Sequence, residues 1–205
     1  MNISPPARFA LMTIKALNVD VELKIVNIMK LEHKLPEYEK INPMRRIPTL
    51  VHGDLIVRDS HAISTYMVNR YAPGNTLYPE LSAARARIDQ LLCFNMCTLF
   101  PANRALWGAY FQDNCKNIPS LAANVTESHR LLNTYMKNTD YLAGNDITLA
   151  DYCILSTMSS SNILAPLDEV KFPRIAEWLN RCKEDEIHRL HNQPGIEALK
   201  EYMSS

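Results

Sequence analysis

The sequence predicts a chain of two parts, an α/β part at the amino terminus and an all-helical part after it. Short alternating apolar segments and a Gly-containing hairpin signal occur only in the first third of the chain. In every longer segment after them, the apolar residues recur at helical spacing. Between Ala72 and Leu81 the segment "APGNTLYPE" is rich in turn residues, as linkers are. We therefore predict one domain at residues 1–74 and a second at residues 82–205.

Length and composition exclude several classes of function. A chain of 205 residues with 47% hydrophobic residues can bury a sizeable core. The 22 basic residues balance 22 acidic residues, so no overall field attracts nucleic acid or an anionic membrane. No apolar run approaches the roughly 18 residues of a spanning helix and no secretion signal is evident, so we expect a cytoplasmic protein. The five cysteines include no C-x-x-C pair, so we predict reduced packing residues and no metal site.

The first two segments predict a helix and a strand. "SPPARFALMTIKALN" predicts a helix, because Ser4 can cap it, prolines suit its first turn, and apolar residues recur at helical spacing. "VELKIVN", residues 21–27, alternates apolar and charged side chains and predicts a strand. Only three residues precede Ser4, and they can form at most a stub of a strand. Either the amino-terminal part tolerates a shortened strand, or the true start lies upstream, or Ser4 is displaced.

A short helix, a hairpin and a third helix are predicted next. The short helix lies around "LPEYEKIN". "PTLVHGDLIV", residues 48–57, places two apolar runs about a Gly-containing turn and predicts a hairpin. "HAISTYMVNRY" predicts a helix that Asp59 or Ser60 can cap and that ends at Pro73-Gly74.

Five helices are predicted after the linker. The first and longest carries an apolar stripe and is expected to be interrupted or kinked near Pro101. Three follow in "SLAANVTESHRLLNTYMKN", "TLADYCILSTMSSSNIL" and "FPRIAEWLNRCKED", and a last short one comes after Pro194-Gly195. Thr148 stands three residues before Asp151, which is the spacing of a capping box, so we predict a structural role for both.

Four segments match, in order and over nearly the whole length, the sequence blocks of one known family. They are "SPPARFALMTIKALNVDVELKIVNIMKLEHKLPEYEKINP", "IPTLVHGDLIVRDSHAI", "TLYPE" and "YLAGNDITLADYCILST". On these blocks the chain resembles the cytosolic glutathione S-transferases, most of all the insect delta and epsilon classes. The resemblance implies a thioredoxin-like amino-terminal domain that binds glutathione, an all-helical domain that lines the substrate pocket, and a two-fold homodimer.

Glutathione carries an ammonium group, two carboxylates and a thiol, and the thiol reacts as a thiolate. By resemblance Ser4 hydrogen-bonds the sulfur; the alternative from the residues alone is a helix cap. Ile47-Pro48 resembles the cis-proline site, where the residue before proline presents its backbone to the cysteinyl part. Asp59 and Ser60 resemble the pair that holds the γ-glutamyl end, although the same residues can cap a helix.

The arginine pair in "NPMRRIPTLV" departs from the family pattern. Two cations beside a proline fit either a solvated edge or a receptor for an anionic peptide. Members of the family usually carry histidine where Arg45 stands, so we hypothesise that Arg45 binds the glycyl carboxylate while Arg46 faces solvent or a partner subunit. By resemblance His33 lies near the same carboxylate, and His61 adds a weaker polar contact.

The pocket for the hydrophobic substrate is predicted on the longest helix, where two or three of six candidates should meet the substrate. The candidates are Met96, Leu99, Phe100, Asn103, Trp107 and Tyr110. The predicted function is a detoxification-type glutathione transferase with glutathione as co-substrate and a hydrophobic electrophile as second substrate. The alternative is a non-catalytic binding or carrier protein for hydrophobic ligands, and peroxidase or isomerase activity at the same site is left open.

Overall fold

The computed structural model describes residues 3–112, 115–136 and 138–204, and it has the predicted order of an α/β part before an all-helical part. The elements in chain order are α1 (Pro5–Ala16), a 3-10 turn (Glu32–Lys34), α2 (Pro36–Ile41), β1 (Thr49–His52), β2 (Leu55–Arg58), α3 (Ser60–Tyr71), α4 (Ser82–Phe94), a π-helical turn (Asn95–Leu99), α5 (Phe100–Phe111), a 3-10 turn (Cys115–Asn117), α6 (Ile118–Tyr135), α7 (Leu149–Leu164), α8 (Pro173–Glu184), α9 (Glu186–His191) and α10 (Gln193–Ser204). Within the described ranges, no helix combines the length and apolarity needed to cross a membrane.

The predicted hairpin is confirmed. β1 and β2 pair antiparallel, with Leu50 opposite Val57. Gly53 occupies the turn with a φ of +59°, a conformation that side chains rarely adopt. Leu50 and Val57 pack against a small core formed by α1 and α3, which includes Ile14 and Ile63. The hairpin therefore lies against the two helices whose first turns are predicted to bind ligand.

The predicted strand at residues 21–27 is wrong. Residues 19–27 form neither strand nor helix, and Leu23 and Ile25 are 64% and 71% exposed. A strand needs a neighbour for its backbone N–H and C=O groups, and the hairpin is the only strand pairing in the part of the chain that the structure describes. Ile3 is buried but forms no strand, and residues 1 and 2 of the expected stub lie outside the described residues.

The main core is built around α7, and it joins the two parts of the chain. Every residue from Leu149 to Met158 is buried, and α7 packs against α1, α4 and α5. Phe9 and Met12 of α1 belong to the same hydrophobic cluster as Met158. α1 is thus held between the hairpin side and the helical part, which fixes the position of its first turn.

The predicted capping box at the start of α7 is confirmed. Thr148 donates its N–H and its Oγ1 hydroxyl to Asp151 Oδ2, each at 2.8 Å. The Leu142 N–H and the Trp178 Nε1–H both donate to Asp151 Oδ1 at 2.9 Å. Burial raises the pKa of the Asp151 carboxyl, and these donors oppose that rise. The carboxyl therefore has the predicted structural role of connecting α7, α8 and the loop before α7.

The predicted interruption of the long helix takes the form of a π-helical turn between α4 and α5. Pro101, in the first turn of α5, has no N–H to donate to a carbonyl of the preceding turn, and the wider π turn accommodates this loss. At the carboxyl end α9 was not predicted, and α10 begins at Gln193, so Pro194 lies within its first turn rather than before it.

Candidate glutathione site

A cleft of about 780 Å³ lies between the amino-terminal part and the helical part. Pro6 and Phe9 of α1 form one wall, and the start of α3 lies beside them. The helical part contributes residues of the π turn, α5, α6 and α7, among them Cys153 and Ser156. One cavity therefore combines the first turns of α1 and α3 with an apolar wall from the second part of the chain.

The first turn of α3 brings polar groups to this cleft. Asp59 is the N-cap residue, and its carboxylate accepts the His61 N–H at 2.8 Å. Its φ of +88° is a conformation that residues other than glycine seldom adopt, and such strain concentrates at ligand-binding sites. The Asp59 side chain is 57% exposed, whereas Ser60 is buried. An accessible carboxylate thus lies beside the N-terminus of a twelve-residue helix.

His61 forms the centre of a row of polar groups in the cleft. Its Nδ1 lies 3.1 Å from Asp59 Oδ1, and its Nε2 lies 3.3 Å from Cys153 Sγ. Burial lowers the pKa of His61, but the Cys153 sulfur and the Asp59 carboxylate together raise it by more. The contact with the Asp59 carboxylate thus favours the protonated imidazole. The contact with Cys153 also connects α3 directly to α7.

Ser4 is the N-cap residue of α1, but its side chain makes no capping hydrogen bond. Pro5 and Pro6 follow it and have no N–H groups to donate. No hydrogen bond to the Ser4 hydroxyl occurs within the described parts of the chain, so this half-buried group is available to a ligand. Ser4 itself does not line the cleft, although Pro6 does.

The two arginines have different surroundings. Arg45 Nη2 lies 2.6 Å from Glu39 Oε1 in an exposed ion pair, and Arg45 does not line the cleft. Arg46 does line the cleft, and its guanidinium has no hydrogen bond or ion pair among residues that the structure describes. The Tyr38 hydroxyl and the Asn42 amide donate to the Arg46 carbonyl at 2.8 and 2.7 Å. The backbone of Arg46 is thus held in place while its cation remains free.

The Ile47–Pro48 peptide bond is cis, as the family resemblance implied. It lies directly before β1, and both residues are half-buried. His33 is half-buried in the 3-10 turn before α2 and does not line the cleft. Burial and the charge of Lys34 lower the pKa of His33, which keeps it neutral at pH 7. Its predicted contact with the glycyl carboxylate stays a prediction.

Of the six predicted pocket residues, Met96 and Phe100 line the cleft. The other four do not line it: Leu99, Asn103, Trp107 and Tyr110. The first three of these are buried, and the Tyr110 ring packs edge-on against the Trp107 ring at 5.6 Å between centroids. Contact of Met96 and Phe100 with the substrate stays a prediction.

Several residues of the cleft were missed by the sequence analysis. Two of them, Arg104 and Gly108, follow Phe100 in α5 at intervals of four residues. All three therefore lie on the same face of the helix. Asn95 of the π turn and Cys153 of α7 also line the cleft. The sequence did contain a signal for Arg104 and Asn95, because both are polar residues within an otherwise apolar pattern. Polar residues in an apolar stripe often mark a binding site.

Comparison with known families gives matches in both parts of the chain. The family model described as "Glutathione S-transferase, N-terminal domain" matches residues 1–75, and the one described as "Glutathione S-transferase, C-terminal domain" matches residues 103–186. The "Glutathione S-transferase 1" of Manduca sexta is 35% identical over 208 aligned positions, which cover 100% of this chain and 95% of that protein.

Solved structures of insect proteins have the same fold. An epsilon-class glutathione S-transferase from the housefly, Musca domestica, superposes with a TM-score of 0.91 at 33% identity, covering 97% of this chain and 92% of that chain. A glutathione transferase homolog from Drosophila mojavensis, solved with bound glutathione, has a TM-score of 0.86 at 29% identity over 97% of this chain and 91% of that chain.

Proposed function

The chain belongs to the glutathione S-transferase family, and we propose that it joins the sulfur of glutathione to hydrophobic electrophiles in the cleft between its two parts. It is an enzyme whose co-substrate is glutathione. The observation that carries the proposal is that a single cleft contains both the first turn of α3 and the apolar wall of α5. A thiol-bearing peptide and an apolar second substrate can therefore meet there.

The γ-glutamyl end of glutathione is assigned to the first turn of α3. The exposed Asp59 carboxylate pairs with the α-ammonium group, because opposite charges at hydrogen-bond distance make strong bonds. Ser60 binds the α-carboxylate through its hydroxyl and its N–H, since a helix N-terminus favours an anion. His61, whose pKa is raised, lies next to the same carboxylate.

The cysteinyl and glycyl parts are assigned to the segment before β1. The backbone of Ile47, before the cis bond, pairs with the cysteinyl part as a short strand would. We assign the glycyl carboxylate to Arg46 rather than to Arg45, because the Arg45 guanidinium is already paired with Glu39 outside the cleft. The free guanidinium of Arg46 can offer a forked contact to a carboxylate.

Ser4 is assigned to the reacting sulfur. Its hydroxyl, which makes no capping bond, donates to the glutathione thiolate, and the α1 N-terminus adds a favourable dipole. Both effects stabilise the thiolate over the thiol, whose ordinary pKa is about 8.5. The thiolate then attacks the electrophilic carbon, a C–S bond forms, and the leaving group departs. Holding both reactants in one cleft supplies much of the rate.

The second substrate is proposed to be hydrophobic, because Phe9, Met96, Phe100 and Leu121 form the apolar part of the cleft. A two-fold homodimer in the cytoplasm is proposed on family grounds alone. Analytical ultracentrifugation would test the dimer, and a single species at the mass of one chain would contradict it.

The test of the proposed function is turnover of 1-chloro-2,4-dinitrobenzene with glutathione, alongside the Ser4→Ala variant. We expect Ser4→Ala to lower kcat/KM by about tenfold or more, because it removes a donor to the developing charge. Glutathione affinity, measured by calorimetry, should change much less, since the hydroxyl contacts only the sulfur.

A matched control is Ser204→Ala at the exposed end of α10, which should leave both quantities unchanged. Full activity of Ser4→Ala would contradict the role of Ser4. Glutathione binding by the parent protein with no turnover of any electrophile would favour the carrier function instead.

A further inference from the structure

The cleft carries an excess of positive charge. Its lining includes the guanidinium groups of Arg46 and Arg104 and the imidazole of His61. Asp59 is the only carboxylate among the lining residues that the structure describes, and it is paired with His61. Two guanidinium groups are therefore left without a negative partner, although the protein as a whole carries a formal net charge of +0.

The two unpaired arginines come from different parts of the chain. Arg46 precedes the cis bond in the amino-terminal part, where the glycyl carboxylate of glutathione is assigned. Arg104 lies on α5, one helical turn from Phe100 and on the same face. Its exposed side chain makes no ion pair or hydrogen bond within the described ranges of the chain. The assigned contacts of glutathione do not include Arg104. The guanidinium of Arg104 is therefore available to the second substrate.

A second polar group lies unpaired in the same wall. Asn95 lines the cleft and is only 4% exposed, yet its Oδ1 has no hydrogen-bond partner in the described structure. Buried polar atoms are nearly always paired, so an unpaired one in a binding cleft points to a ligand that completes its hydrogen bonds. Asn95 also begins the π-helical turn, a feature that is frequent at functional sites.

From these observations, and resting on the proposed function, we infer that the electrophile is an amphipathic carboxylic acid whose carboxylate pairs with Arg104. Its apolar body lies against Met96, Phe100 and Leu121, and a hydrogen-bond donor on it donates to Asn95 Oδ1. A guanidinium suits this group because its planar fork matches the two oxygens of a carboxylate. The carboxylate takes no part in the bond exchange, in which the C–S bond forms and a C–halogen bond breaks to release halide.

The experiment compares two substrates that differ only in charge, 4-chloro-3-nitrobenzoate and 4-chloro-3-nitrobenzamide, each with saturating glutathione. For each substrate, kcat/KM of a variant is divided by kcat/KM of the parent protein. This ratio removes the difference in intrinsic reactivity between the two substrates. Arg104→Gln should lower kcat/KM for the benzoate about tenfold, which is the scale of one charge-assisted contact. The same substitution should change kcat/KM for the benzamide less than about twofold. Arg104→Lys, which keeps the charge, should retain most of the benzoate activity.

Arg87→Gln on α4 is the matched control, because Arg87 is exposed and does not line the cleft; both substrates should be unaffected. Equal losses for the two substrates in Arg104→Gln, or no loss for either, would overturn the inference and leave the proposed function standing. Absence of turnover of both substrates by a parent protein that does turn over 1-chloro-2,4-dinitrobenzene would overturn this inference alone, whereas absence of turnover of all three would overturn the proposed function and this inference with it.

Discussion

Replacement of Asp151 by alanine tests how the carboxyl holds the helical part together. Its two oxygens accept hydrogen bonds from the Leu142 N–H, the Thr148 N–H and hydroxyl, and the Trp178 indole, at 2.8 to 2.9 Å. The Thr148 hydroxyl can rotate to another acceptor, but the three N–H groups are left without one. At about 1 to 3 kcal/mol for each orphaned donor, and with some relief from no longer burying a carboxylate, we expect a loss of about 4 kcal/mol.

The assay is urea denaturation followed by tryptophan fluorescence, which gives the free energy of unfolding. Asp146→Ala is the control, because Asp146 lies exposed in the same loop before α7, and its effect should stay within about 0.5 kcal/mol. Asp151→Asn keeps one acceptor oxygen, so its loss of stability should lie between the losses in Asp146→Ala and Asp151→Ala. A loss below about 1.5 kcal/mol in Asp151→Ala would refute the reasoning, since it would mean that the donors find other partners or are not buried.

The remaining predictions concern glutathione and pH. Arg46→Ala should raise the glutathione Kd about tenfold by calorimetry, the scale of one charge-assisted bond, while Arg45→Ala should change it less than about twofold. If Arg45→Ala instead raised the glutathione Kd more than Arg46→Ala, Arg45 would be the residue that binds the glycyl carboxylate. Burial lowers the pKa of His129 to about 4, so between that value and about 6.5 the unfolded chain binds more protons and the folded state loses stability as pH falls. His129→Phe should therefore remove about 2 kcal/mol of the stability lost between pH 7 and 5; an unchanged pH dependence would contradict this.

Much of the fold could be predicted because local interactions specify it. The helical period of the apolar residues placed α1, α6, α7 and α8, and the turn glycine placed the hairpin. The capping box at α7 followed from spacing alone, because its partners are three residues apart. Asp59 as the cap of α3 is a similarly local feature.

Other features depended on how the chain folds in three dimensions. The fold of the segment before β1 pairs Arg45 with Glu39 and places Arg46 in the lining of the cleft, and binding of the glycyl carboxylate by Arg45 stays a prediction. His61 contacts Cys153 of α7, a contact between residues that no local pattern relates. Such pairings depend on how the helices pack, so spacing along the chain does not reveal them.

By itself, the sequence determined most of the segments that become helices and where the hairpin turns, because caps, turns and apolar periods act over a few residues. The family of chemistry followed instead from the resemblance of ordered sequence blocks to a known family. Only the tertiary structure decided that residues 21–27 do not form a strand, since a strand exists only when a neighbour takes up its hydrogen bonds. It also decided which side of the long helix lines the cleft. The π turn changes the helical phase before Phe100, so Arg104 lines the cleft while Leu99 and Asn103 lie in the core.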